Sequence, residues 1–102
     1  MEQTNKQNLA PENKEEFYKR LEEELNKNHE WPTRYMYKFI LPNDENKIEQ
    51  VKQRFDKKHD FRQNFSRSGK YVSLTFITEE KSPDDIINRY KKMEDIEGLI
   101  AI

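Results

Sequence analysis

The chain of 102 residues contains no cysteine. Disulfide bonds, thiolate metal sites and cysteine nucleophiles are therefore excluded. Hydrophobic residues make up only 32% of the chain, against 38% charged residues, so the sequence can form one small core but not two domains. No apolar run approaches the roughly 20 residues of a membrane-spanning helix, and the N-terminus lacks the apolar segment of a signal peptide. We therefore expect a soluble, cytoplasmic protein that makes no membrane contact.

The N-terminal third is expected to lie outside the main domain. Residues 1–12 are polar and show no hydrophobic period, which predicts a disordered tail. Residues 13–30 are predicted to form an amphipathic helix and a linker, because Asn13 and Glu16 have the spacing of a capping box. The apolar stripe of this helix consists of Phe17, Leu21 and Leu25.

Residues 31–102 alternate between strand and helix patterns. The predicted elements are a strand at 35–41, a helix starting at Asn43 or Asp44, strands at 61–67 and 71–77 joined at Ser68-Gly69, a helix capped by Ser82 with Pro83 next, and a short strand at 98–102. This order predicts the α+β class, as a ferredoxin-like βαββαβ two-layer sandwich with an extra N-terminal helix. The expected sheet has four antiparallel strands in the order 4-1-3-2, and both helices cover one face.

The residues of the two central strands divide between the two faces of this sheet. Val72, Leu74 and Phe76 alternate with polar residues and are predicted to face the helices. The opposite face is predicted to be open and to carry Met36, Lys38, Ile40, Tyr71, Ser73 and Thr75. Because this face includes apolar side chains and the apolar 98–102 strand lies beside it, it is predicted to bind a partner protein or a second copy.

Five segments together resemble a known family. They are EFYKRL (16–21), WPTRYMYKFILP (31–42), SRSGKYVSLT (66–75), SPDDIINRY (82–90) and IEGLIAI (96–102). Over residues 15–102 the chain resembles the YbeD-like family of small bacterial proteins, a domain of unknown function. The resemblance implies a bacterial source and a ferredoxin-like sandwich similar to amino-acid-sensing regulatory domains. It implies no catalytic residues.

The reactive groups that enzymes and metal carriers of this fold need are not indicated by the sequence. His29 and His59 lie on different connections, each beside an acid, which favours solvated imidazoles over metal ligands. The loop at 41–45 has no glycine and carries two carboxylates, so it does not predict a phosphate site. We therefore expect no enzyme, no metal and no cofactor. The leading hypothesis is a non-catalytic regulatory or protein-interaction domain.

Two alternative functions remain open. Asn43 and Asp44 could bind an amino-acid-like ligand at the start of a helix, although a plain helix cap is favoured. A basic cluster in the hairpin at 57–71 could bind RNA weakly through phosphate contacts, with Tyr71 as a single stacking aromatic. The cluster consists of Lys57, Lys58, Arg62, Arg67 and Lys70. Charges on an edge strand more commonly prevent aggregation, so nucleic acid is the less favoured partner.

Overall fold

The computed structural model describes the backbone of residues 11–102 and the side chains of residues 14–102. Its elements are α1 (Pro11–Asn28), β1 (Thr33–Pro42), α2 (Glu45–Arg54), β2 (Asp60–Phe65), β3 (Tyr71–Glu80), α3 (Pro83–Lys92) and β4 (Ile100–Ala101). The tail predicted at 1–12 lies outside the described residues, apart from Pro11 and Glu12. These two residues form the start of α1, which begins before Asn13 because proline fits the first turn of a helix.

The four strands form one antiparallel sheet in the order β2-β3-β1-β4. This is the predicted order 4-1-3-2 read from the opposite edge. The two central strands pair along ten residues, from Thr33 opposite Glu80 to Pro42 opposite Tyr71. The edge strand β4 pairs with β1 over two residues, and Gly98, just before it, takes a positive φ of 83°. The fold is thus the predicted ferredoxin-like sandwich.

The core lies between the sheet and the helices α2 and α3. Its sheet residues are Tyr37, Phe39, Leu41, Val72, Leu74 and Phe76, and its residues outside the sheet include Ile48, Val51, Phe55, Ile86, Met93 and Ile96. Aromatic rings fill the centre, where Phe55 stacks on Phe76 at 4.3 Å between ring centroids. The periodic apolar positions therefore select one covered face of the sheet.

Both core helices begin at the predicted caps. The Asp44 side chain accepts hydrogen bonds from the backbone N–H groups of Asn46 and Lys47, at 2.9 and 3.3 Å. The Ser82 hydroxyl accepts one from the backbone N–H of Asp85 at 3.2 Å, with Pro83 in the first turn. These contacts satisfy N–H groups that the first turn of a helix leaves unpaired.

The N-terminal helix α1 packs along α3, a position that the sequence does not indicate. Leu25 is buried in the core, while Phe17 and Leu21 are half-buried. The Tyr18 hydroxyl donates to the Glu94 carboxylate of the turn after α3. The helix thus lies on the covered side of the sheet. None of the helices α1 to α3 is long and apolar enough to cross a membrane.

The connection between β2 and β3 is longer than predicted, because β2 ends at Phe65 and not at residue 67. The connection spans residues 66–70, where Gly69 has a φ of 77°. The Ser66 backbone N–H donates to the Tyr71 carbonyl at 2.9 Å, and the Ser66 hydroxyl accepts from the Tyr71 N–H at 3.1 Å. The Ser66 hydroxyl thus takes the place of a backbone acceptor for the Tyr71 N–H, and the regular pairing of the two strands ends at Phe65.

Candidate functional site

The sheet face opposite the helices carries all six residues predicted for the interaction surface. Lys38 lies opposite Thr75 and Ile40 opposite Ser73, while the register places Met36 and Tyr71 on the same side of the sheet. We call this surface the open face. By the same alternation it also includes Arg34, Asp60, Arg62, Asn64, Ile77, Glu79 and Ile100.

Apolar side chains on the open face are unusually exposed for their type. Met36 is 57% exposed, Tyr71 52% and Ile100 40%. Ile40 and Ile77, which are also on the open face, are each half-buried by their neighbours in the sheet. Single exposed apolar residues are ordinary on proteins, but several on one flat face are typical of a contact surface.

Charged side chains lie among these apolar residues and beside them. Lys38 and Arg62 flank Thr75 from the two neighbouring strands, and Thr75 itself is only 7% exposed. Toward one end, Arg34 forms an exposed ion pair with Asp60 at 2.8 Å. An exposed pair of this kind contributes at most about 1 kcal/mol, so it shapes the surface more than it stabilises the fold. The open face therefore carries charges of both signs.

The structure does not bring the five residues of the predicted basic cluster together. Lys57 turns toward the buried Glu80, with its Nζ 3.1 Å from the carboxylate, while Lys58 precedes β2. Arg62 lies on the open face. Arg67 and Lys70 lie in the 66–70 connection, at the other end of a strand roughly 20 Å long. Weak RNA binding by this hairpin stays a prediction.

The side chains at the start of α2 are engaged in local structure. The Asn43 side-chain amide donates to the Gly69 carbonyl at 2.9 Å, which ties this loop to the β2–β3 connection. The Asp44 carboxylate caps the helix. Both backbone N–H groups bond the same oxygen of this carboxylate, Asp44 Oδ1. Binding of an amino-acid-like ligand here stays a prediction as well.

A buried charged cluster at the end of β3 is not among the sites that the sequence predicts. Glu80 is fully buried and accepts hydrogen bonds from the Tyr37 hydroxyl, from Arg89 Nε at 2.5 Å and from Lys57 Nζ at 3.1 Å. Arg89 also lies 3.4 Å from Asp56. The signal was present, because Glu80 continues the inward alternation of Leu74 and Phe76, but the strand was predicted to end at 77.

The environment of Glu80 keeps its carboxylate ionised. Burial alone raises its pKa, but the hydrogen bonds from Arg89, Tyr37 and Lys57 outweigh burial and hold the pKa below its usual value. Burial, together with the hydrogen bond to Glu80, raises the pKa of the Tyr37 hydroxyl. A carboxylate stabilised in this way is a poor proton acceptor near neutral pH, so the cluster is suited to fixing β3 against α3.

The two histidines make local contacts. His29 Nδ1 lies 3.2 Å from the Thr33 hydroxyl, and His59 Nδ1 lies 2.5 Å from the Lys57 carbonyl. His59 also packs edge-on against Phe55 and Phe76. Among the side chains that the structure describes, no group of three or more His, Asp or Glu residues is placed to hold a metal ion.

The fold and the open face define the chain as a ferredoxin-like α+β domain with one uncovered sheet face. Residues 26–102 match the family model DUF493, a protein of unknown function, which is the YbeD-like family. The chain belongs to this family. The match covers the whole sandwich and leaves most of α1 outside it. No curated protein and no solved structure matches the chain significantly.

Proposed function

We propose that this chain is a non-catalytic protein-interaction domain whose open face binds a second copy of the same chain. The observation that supports this most is the uncovered face itself. Met36 and Ile77 lie opposite each other, and Ile40 lies further along β1, on a sheet whose other face is packed by helices. An exposed face that combines apolar and charged side chains is typical of an interaction site.

The dimensions of the sheet fit a small symmetric interface. Two ten-residue strands flanked by two shorter ones give a face on the order of 500 Å², from the rise along a strand and the spacing between strands. Two such faces packed together would bury about 1,000 Å², which is near the lower limit for specific association. We therefore expect a dimer that dissociates in the micromolar range.

The charges on the open face favour a second copy as the occupant. Lys38 and Arg62 lie in the middle of the face, and Glu79 lies toward one end. If the two faces pack about a two-fold axis that lies between these basic and acidic residues, the basic side chains of one copy lie opposite the acidic side chain of the other. A uniformly acidic partner would be repelled by Glu79, and a uniformly basic one by Lys38 and Arg62.

The buried Glu80 cluster supports a non-catalytic role. Its carboxylate is held by donors that lower its pKa, whereas a general base needs a pKa close to the working pH. The regulatory part of the hypothesis requires a ligand or partner that responds to a signal, and it stays a prediction.

Sedimentation velocity over micromolar to millimolar concentrations tests the proposal. The wild-type chain should shift from monomer to dimer. Met36→Lys should keep it monomeric, because a third basic side chain next to Arg34 and Lys38 would repel the same group on the second copy. Phe65→Lys is the matched control, since Phe65 is 56% exposed but lies on the opposite side of the sheet.

Phe65→Lys should dimerise like the wild type, and thermal unfolding should show that both variants remain folded. A wild-type chain that stays monomeric at every concentration would overturn the proposal. A dimer that survives Met36→Lys would place the interface on a different surface and would also overturn it.

A further inference from the structure

On the covered side of the sheet, the residues that the structure describes leave part of the core beside α1 uncovered. A cleft of about 470 Å³ lies between α1, α3 and the sheet beside β4. Aromatic and aliphatic side chains form most of its lining, including Phe17, Leu21, Tyr35, Tyr90 and Met93. We call this space the α1 cleft. Its volume lies in the range of small-molecule sites, and a partly covered apolar cleft is the usual form of such sites.

The α1 cleft has the size of a small-molecule site. With α1 in place, held by the buried Leu25 and by the Tyr18–Glu94 hydrogen bond, the space suits a small molecule.

The walls of the cleft favour an aromatic molecule. Tyr90 packs edge-on against Tyr35 at 6.5 Å and against Phe39 at 6.1 Å between ring centroids. Phe17 from α1 lines the cleft as well. Rings on several sides offer faces and edges to a further ring, which gains the preferred offset or edge-to-face geometry.

The polar groups of the cleft favour a neutral acceptor. The Tyr35 and Tyr90 hydroxyl oxygens are 2.8 Å apart, so one hydroxyl donates to the other. Two hydroxyls carry two hydrogens and this contact uses one, so the pair can donate one more hydrogen bond. The charged residues of the lining, Lys14 and Glu94, pair with each other at 3.9 Å, which leaves no excess charge of either sign for an ionic ligand.

We propose that the α1 cleft binds a small, neutral aromatic molecule that carries a hydrogen-bond acceptor such as a carbonyl group. The ring packs among the aromatic side chains, and the acceptor takes the hydrogen that the Tyr35–Tyr90 pair has left over. This site lies on the opposite side of the sheet from the open face, so it is independent of the proposed self-association.

Ligand-observed NMR titration with acetophenone and ethylbenzene as probes tests the proposal, because the two molecules differ in one carbonyl oxygen. Acetophenone should bind roughly fivefold more tightly than ethylbenzene, as one net hydrogen bond predicts. In the double variant Tyr35→Phe/Tyr90→Phe this preference should disappear. Removing both partners of a hydrogen bond while keeping their shape costs little stability, so the double variant should remain folded.

A variant of the neighbouring strand locates the binding. Ala101→Phe places a ring in the cleft and should weaken both probes by about tenfold or more. Ile100→Phe is the matched control, because Ile100 is on the same strand but on the open face, and it should leave binding unchanged. Thermal unfolding of each variant reports whether it is folded.

Three results would overturn the proposal. These are no binding of either probe up to their solubility limits, a carbonyl preference that persists in the tyrosine double variant, and equal effects of Ala101→Phe and Ile100→Phe. If Ala101→Phe did not fold, the tyrosine double variant would decide the question by itself.

Discussion

The two faces of one sheet use neighbouring residues of the same strands for opposite purposes. On the covered face, Tyr37, Phe39 and Phe76 are completely buried under two helices. On the open face, Met36 and Tyr71 from the same strands are more than half exposed. Strand alternation divides the residues, but the helices decide which set becomes the core. The comparison shows that the apolar content of a strand alone does not distinguish a packing face from a binding face.

The largest contrast should appear between two aromatic residues of β3. Phe76→Ala should lower the free energy of unfolding by about 3–5 kcal/mol, because it opens a cavity in a fully buried site. Tyr71→Ala, on the open face, should cost less than about 1 kcal/mol. Urea denaturation of the two variants at a protein concentration where the chain is monomeric measures both values. Similar losses for both would mean that the open face is covered in the folded monomer.

The second contrast is between two adjacent acids at the end of β3. Glu80→Gln should cost about 2–3 kcal/mol, because it leaves the Arg89 and Lys57 cations without their shared carboxylate. Glu79→Gln changes an exposed carboxylate and should stay within about 0.5 kcal/mol of the wild type. Chemical denaturation at neutral pH distinguishes them, and equal values would show that the Glu80 cluster does not stabilise the fold.

The same cluster predicts how stability depends on pH. Since folding lowers the pKa of Glu80, its contribution is complete above the unfolded-state pKa of about 4.3 and is lost as the pH falls through the lower folded-state pKa. The stability difference between the wild type and Glu80→Gln should therefore shrink on acidification below that pH. Denaturation curves at several acidic pH values measure this difference, and a difference that stayed constant would contradict it.

The smallest contrast is between the two glycines, both of which have positive φ. Gly98→Ala should cost about 2 kcal/mol, since the added Cβ would lie 2.9 Å from Pro42 Cγ in addition to the backbone strain. Gly69→Ala meets no atom within 4 Å and should cost about 1 kcal/mol from backbone strain alone. Thermal unfolding should rank the two variants in this order, and equal losses would mean that Pro42 moves away easily.

Much of the covered face could be predicted because its signals are local. The caps at Asp44 and Ser82 and the apolar spacings of α2 and β3 act over one or two turns, so they can be found in a single sequence. The open-face residues follow from the same alternation. The Glu80 cluster could not be assembled in this way, because Tyr37, Lys57 and Arg89 come from three separate elements that only the completed fold brings together.

The sequence by itself determined the order of helices and strands, their caps and the alternation that separates two faces, since each depends on neighbours a few residues apart. Only the tertiary structure decided where α1 packs, which leaves the α1 cleft beside α3 and the open face uncovered. It also decided that Lys57 turns toward the buried Glu80 while Arg62 lies on the open face. These outcomes depend on contacts between segments that are distant in the sequence. Such contacts form only when the helices and the sheet pack together, so no local pattern reports their free energy.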